Sequence, residues 1–156
     1  MELKVKLADG APLPKHAKEG DAGLDLTTRE AVTLLPGETK LVGTGVYAEI
    51  PEGYFGLIAP RSGMASKRGV TLANTPSVID SGYRGEIKLA LHSINPPFEY
   101  KYGRFHEMYN AYVEVEEGER VAQMVIVPYA SCECVQVEEL SETERGEGGF
   151  GSTNRF

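Results

Sequence analysis

Apolar residues in this chain recur at every second position in short pieces, and helical spacing never persists beyond a turn or two. The alternation runs over Leu41 to Ile50, Gly56 to Ala59, Ile87 to Leu91, Val121 to Pro128 and Cys132 to Val137, each piece bounded by Gly, Pro, Asn or Asp. Side chains two apart share one face of a strand, so each piece predicts a short strand with one buried side. Such pieces imply a barrel or sandwich, and a doubly wound α/β fold is disfavoured because no long helix separates them. The one predicted helical turn covers Ser62 to Lys67, with Pro60 before it and Gly69 after it.

The chain has 156 residues, the size of one domain with one core. Its 18 glycines and 9 prolines suit many tight turns. The net charge of −7 repels bulk nucleic-acid phosphate, so an anionic ligand has to be held by a few local basic groups. No apolar run is long enough to span a membrane, and the start, Met1-Glu2-Leu3-Lys4, carries no address signal. Cys132 and Cys134 are too close for disulfide geometry, which fits a reduced, cytoplasmic setting.

Five segments combine glycine turns with polar residues at strand ends. Asp21-Ala22-Gly23-Leu24-Asp25-Leu26 offers a carboxylate, with a turn in which Asp25 caps backbone amides as the alternative. Pro60-Arg61-Ser62-Gly63 sets a guanidinium and a hydroxyl beside the amides of a helix start, a seat for phosphate or an ordinary cap by Ser62. The run from Asn74 to Ile87 predicts a β-hairpin, Val78-Ile79 entering a Ser81-Gly82 turn and Arg84 to Leu91 leaving it, with Asp80 and Tyr83 flanking the tip. Its backbone groups suit the edge of a base; a turn aspartate and a core tyrosine are the plainer reading. Gly118-Glu119-Arg120-Val121-Ala122-Gln123 predicts a turn and a buried strand with Gln123 near its start. Arg145 to Thr153 is glycine-rich but lacks the Gly-Lys-Ser/Thr ending of a Walker loop, and reads as a mobile tail able to wrap phosphates when ordered.

His16, His92 and His106 show no ligand spacing with each other or with the cysteines, which argues against zinc, and no serine sits in a nucleophile elbow. Residues 94–117 form an aromatic-rich connection, a surface loop or an extra hairpin.

In this order and spacing, the five segments resemble the trimeric dUTPase family, the deoxyuridine triphosphate nucleotidohydrolases, across nearly the whole chain. The resemblance implies an all-β fold, a β-clip barrel or distorted jelly roll of residues 1–144 with an insertion at about 95–117. It also implies a homotrimer whose active sites are shared between chains, closed by a C-terminal arm of residues 145–156. The implied reaction is hydrolysis of dUTP to dUMP and pyrophosphate, serving pyrimidine deoxynucleotide metabolism and keeping uracil out of DNA. By the same resemblance Asp80 orients and deprotonates the water that attacks the α-phosphorus, and Tyr83 stacks on deoxyribose. Asn74 and the backbone from Val78 and Ile79 to Lys88 read uracil. Arg61, Ser62, Gly63 and Gln123 hold the phosphates, and Asp25 binds water near a Mg2+ ion brought by the nucleotide. Phe150 and Gly151 of the arm close over the site, with Arg145, Ser152 and Thr153 on the phosphates. Direct nucleic-acid binding and membrane association are not implied.

Two departures stand out. The 95–117 segment resembles insertions of some phage and bacterial relatives that contact regulatory proteins, and Asn154 stands where many relatives have glycine. The nearest rival, a dCTP deaminase, carries a glutamate on the strand after the hairpin, where this chain has Ala90. A non-catalytic binding protein of the same fold is the rival from another class, and the polar residues of all five segments argue against it.

Overall fold

The computed structural model describes residues 1–96, 98–101, 104–107 and 112–148. Among them the chain forms strands β1 Lys4–Leu7, β2 Leu24–Thr27, β3 Val32–Leu34, β4 Thr39–Gly43, β5 Val46–Glu49, β6 Tyr54–Pro60, β7 Val70–Leu72, β8 Ser77–Ile79, β9 Lys88–Ser93, β10 Phe98–Lys101, β11 Arg104–Glu107, β12 Val113–Val115 and β13 Arg120–Pro128. One π-helical turn, Met64–Arg68, lies between β6 and β7. The architecture is all-β, as the alternation predicts, and of the jelly-roll type that the resemblance implies. No helix among the described residues is long and apolar enough to cross a membrane.

All strand pairs are antiparallel, and their order is set by long-range matches. A four-stranded sheet runs β2-β13-β6-β8 and a three-stranded sheet β4-β9-β7; β1-β5, β3-β12 and β10-β11 pair in twos. Directly opposed residues share a face. Leu24, Met124 and Ile58 therefore point one way in adjacent strands, and Asp25, Gln123 and Ala59 point the other. Leu26, Met124 and Ile58 are fully buried and meet Val42, Leu89, Leu91 and Leu72 of the three-stranded sheet in one core. Each such side chain contributes about 1.5–3 kcal/mol relative to exposure. Their burial fixes the register that turns Asp25 and Gln123 outward.

Three expectations need correction. The piece 41–50 is two strands, broken at Thr44-Gly45, where Gly45 adopts φ 69°, a left-handed conformation that favours glycine. The segment Cys132 to Val137 forms no strand: residues 131–147 are exposed and find no strand to pair with in their own subunit. The arms of the expected hairpin do not pair with one another. β8 joins β6, with Gly56 opposite Ile79, whereas β9 joins β4 and β7. The split follows from the 44–46 corner. The Ile87 amide donates to the Val46 carbonyl (2.8 Å) and the Gly45 amide to the Glu86 carboxylate (2.9 Å), drawing the chain away before it reaches β9. The predicted helical turn is present and ends at Gly69, and the 94–117 connection contains the extra hairpin β10-β11. Both cysteines are free.

The corner depends on Thr44, which is fully buried. Its hydroxyl donates to the Ile87 carbonyl (2.6 Å) and accepts from the Val46 amide (3.1 Å). Thr44→Val keeps the shape and leaves both backbone groups without that partner. A loss of about 2 kcal/mol in unfolding free energy is expected, measured as a lower urea midpoint at unchanged slope.

Candidate functional site

The four-stranded sheet builds the first half of the site on its outward face. Asp25 of β2 and Gln123 of β13 are cross-strand partners, and β13 carries Gln123 opposite Ala59, two residues before Arg61. The Asp25 carboxylate is held from both sides: Oδ1 lies 3.2 Å from Arg61 Nε, and Oδ2 accepts from Arg120 Nη1 at 3.0 Å. Its side chain is only 13% exposed, so the two guanidinium groups offset the desolvation of the carboxylate. The Arg61 amide donates to the Val121 carbonyl (3.0 Å) and its Nη1 to the Arg120 carbonyl (3.4 Å), joining the end of β6 to the start of β13. Arg61 and Ser62 line a cavity of about 440 Å³ with Asp21, Gly23, Asp25 and Gln123. An adjoining cavity of about 620 Å³ is lined by Arg61, Ser62, Gly63, Lys67 and Arg120. Exposed guanidinium, hydroxyl and amide donors in such a groove suit a polyphosphate.

The second half lies around the turn between β8 and β9. Val78, Ile79, Asp80, Tyr83 and Lys88 line a cavity of about 330 Å³ with Leu41 and Glu86. Asp80 is exposed, and its carbonyl accepts the Tyr83 amide (3.1 Å), closing the turn. The Tyr83 hydroxyl donates to the Glu86 carbonyl (2.9 Å), and Arg84 Nη1 donates to the carbonyls of Ser81 (2.6 Å) and Tyr83 (2.9 Å). These bonds stiffen a turn that leaves one face of the tyrosine ring open to a ligand. Asn74 is exposed at the entry to β8, where its amide donates to Ser77 Oγ (3.1 Å). The two halves share no lining residue within one chain.

Arg145 is exposed, its Nε donating to the Gly148 carbonyl (2.9 Å). Phe150, Gly151, Ser152 and Thr153 lie outside the described residues. Two participants escaped the sequence reading. Arg120 reaches Asp25 only because β13 pairs with β2 across some ninety residues, and Glu86 reaches Gly45 only through the corner at Thr44. The sole signal in the sequence was that each belongs to a segment already singled out.

The dUTPase family model matches residues 9–104 and 107–154, nearly the whole chain. The chain is 47% identical to the deoxyuridine 5'-triphosphate nucleotidohydrolase of Nautilia profundicola, the match covering 99% of this chain and 100% of that protein. It is 44% identical to the one from Nocardia farcinica, covering 95% and 82%. Among solved structures, the Staphylococcus bacteriophage 80alpha dUTPase with dUPNHPP superposes with a TM-score of 0.86 at 36% identity, covering 98% of each chain. A dUTPase from phage phi11 of S. aureus, in a mutant form described for coordination of a structural Mg(II) ion, superposes with a TM-score of 0.77 at 31% identity, over 91% of this chain and 100% of that one. The chain belongs to the dUTPase family.

Gly23 meets Gln123 so closely that a Cβ at position 23 would collide with the Gln123 side chain. Gly23→Ala is therefore expected to swing Gln123 out of the groove and lower kcat/KM for dUTP by about tenfold or more, read by pyrophosphate release. The urea midpoint should stay close to the parent value, because the affected side chain faces outward.

Proposed function

We propose that this chain hydrolyses dUTP to dUMP and pyrophosphate. The observation that carries the reading is the gathering of Asp25, Arg61, Ser62 and Gln123 about one outward groove, in a chain matched to dUTPases over nearly its full length. In this reading the groove takes the phosphates, and the turn from Val78 to Lys88 takes the base and sugar. Backbone groups of the turn and the Asn74 amide hydrogen-bond the uracil edge. Cytosine presents the opposite donor and acceptor pattern and would leave buried polar groups unpaired. Tyr83 covers the deoxyribose and leaves no room for a 2′-hydroxyl.

Asp80 is the base. It accepts a proton from a water molecule whose oxygen bonds to the α-phosphorus, while the bond from that phosphorus to the bridging oxygen breaks and pyrophosphate leaves with the electron pair. Mg2+ on the phosphates supplies charge neutralisation of the polyphosphate. The residues present fit such an ion as one carried by the nucleotide. Among the described residues no cluster of three or more His, Cys, Asp or Glu side chains forms a metal cage. Both oxygens of Asp25 are engaged by guanidinium groups, which suits a contact through water.

Phosphate and base residues line separate cavities of one subunit, which supports a homotrimer whose sites are shared between chains. The exposed, alternating run Cys132 to Val137 supports the same assembly, since a strand pattern left unpaired in its own subunit suits pairing with a neighbouring one. Residues 1–144 then form the β domain and residues 145–156 an arm that closes over a site. Arg145, Ser152 and Thr153 of the arm meet the phosphates, and Phe150 and Gly151 the base. The 95–117 insertion is a surface for a regulatory protein partner, and free thiols at Cys132 and Cys134 fit a cytoplasmic setting.

A dCTP deaminase would need a proton shuttle at position 90. There β9 carries Ala90, whose carbonyl accepts the Ala73 amide (2.8 Å). Pyrophosphate release is therefore expected from dUTP and not from dCTP, dTTP or UTP, and chelation of magnesium should lower it strongly. Consumption of dCTP would sink this reading. Asp80→Ala should cut kcat by about a thousandfold or more while the affinity for a non-hydrolysable dUTP analogue stays within about threefold.

A further inference from the structure

We infer that the Arg68–Glu119 ion pair is a positioning strut that holds the phosphate-binding segment Arg61–Gly63 in its working orientation. The inference rests on the diphosphatase reading above and adds two residues to it. The π-helical turn Met64–Arg68 begins where that segment ends, so the direction of the helix decides where the side chain of Ser62 and the amide of Gly63 point. At its near end the helix is tied to β13 through the Arg61 amide on the Val121 carbonyl (3.0 Å).

At its far end Arg68 reaches β12 and the turn that leads from it into β13. One guanidinium nitrogen meets the Glu119 carboxylate, and the other donates to the Glu114 carbonyl. Glu119 is itself fixed, because its second oxygen accepts the Glu116 amide (3.0 Å) and its own amide donates to the Glu116 carbonyl (3.1 Å). The next residue is Arg120, which holds Asp25. The near end of the helix is thus anchored to the start of β13, and the far end to β12 and to the turn between β12 and β13. Asn95 completes the far end, its side-chain amide donating to the Arg68 carbonyl (3.2 Å).

The pair also stands between two cavities. Arg68 and Glu119 line the 620 Å³ groove beside Ser62, and also a cavity of about 820 Å³ at the root of the insertion with Asn95, Tyr112 and Glu116. The Arg68 side chain is about one-third exposed, and its Nη1 also lies 4.0 Å from Sδ of buried Met64, so Arg68→Met, which keeps an apolar stem at that contact, frees the far end of the helix with little change in packing. The near end would stay in place, held by β13 and by buried Met64. The expected result is a phosphate segment that is present but misaligned.

The test is steady-state hydrolysis of dUTP by the full-length chain and by Arg68→Met, Arg68→Lys, Glu119→Gln and Arg68→Met/Glu119→Gln. Inhibition by deoxyuridine, which carries no phosphate, is measured alongside. Arg68→Met should raise KM for dUTP by about tenfold with kcat within about threefold, and the Ki of deoxyuridine should not move. Arg68→Lys, which keeps the charge opposite Glu119, should recover most of the loss. The double variant should be no worse than the weaker single one, because the two side chains act as one unit. A KM unchanged in Arg68→Met would overturn the strut and leave Met64 as the sufficient anchor. So would an equal rise in the deoxyuridine constant, which marks general damage, or single losses that multiply in the double variant. If the parent protein turns over no dUTP, the diphosphatase reading fails; the strut is then judged by calorimetric affinity for dUTP, where a tenfold drop in Arg68→Met supports it and no change overturns it.

Discussion

The pairing of β13 with both β2 and β6 is the constraint from which the outward groove follows. Because opposed residues in antiparallel strands share a face, burying Met124 against Leu24 and Ile58 leaves Gln123, Asp25 and Ala59 no direction but outward. A slip of one residue would put Asp25 into the core, where an unpaired carboxylate costs several kcal/mol. The apolar side of the sheet thus enforces the polar side. The pairing of Asp25 with Arg61 and Arg120 then fixes the distance between the ends of three strands. In the proposed function these strand ends meet the triphosphate.

The turn between β8 and β9 obeys a different logic. No strand ladder runs through residues 80–87; the turn is shaped by hydrogen bonds of its own and by the buried hydroxyl of Thr44 behind it. A turn held in this way can follow a small flat ligand closely, since only its last residue, Ile87, is committed through its amide to a neighbouring strand. Gly85 fits the same picture: a Cβ there would strike the Tyr83 ring.

Much of this was legible in the sequence, for reasons that differ by residue. Two-residue alternation is a local property, so β4, β5, β6, β9 and β13 could be read from a few neighbours, as Val121 to Pro128 was, whereas β2, β3, β7 and β12 are too brief to show it. The segments holding Asp25, Arg61, Asp80, Tyr83 and Gln123 could be read because turn chemistry is local too. Pairing is not local. Nothing in Ser77–Ile79 or Lys88–Ser93 reveals that these strands enter different sheets, since that choice is made by the amides of Gly45 and Ile87, some forty residues apart. Arg120 was invisible as a partner of Asp25 for the same reason. Cys132 to Val137 misled in the opposite sense: its pattern is that of a strand, and in its own subunit it lies exposed and pairs with none.

The sheet order also bears on how the chain is made. β2 lies near the start of the sequence and β13 near its end, with β13 seated between β2 and β6. During synthesis the first hundred or so residues emerge without the strand that joins them, leaving β2 and β6 with bare edges facing each other. Closure over so long a loop is slow compared with local pairing. The sheet therefore stays without its central strand until β13 has been released, some ninety residues after β2.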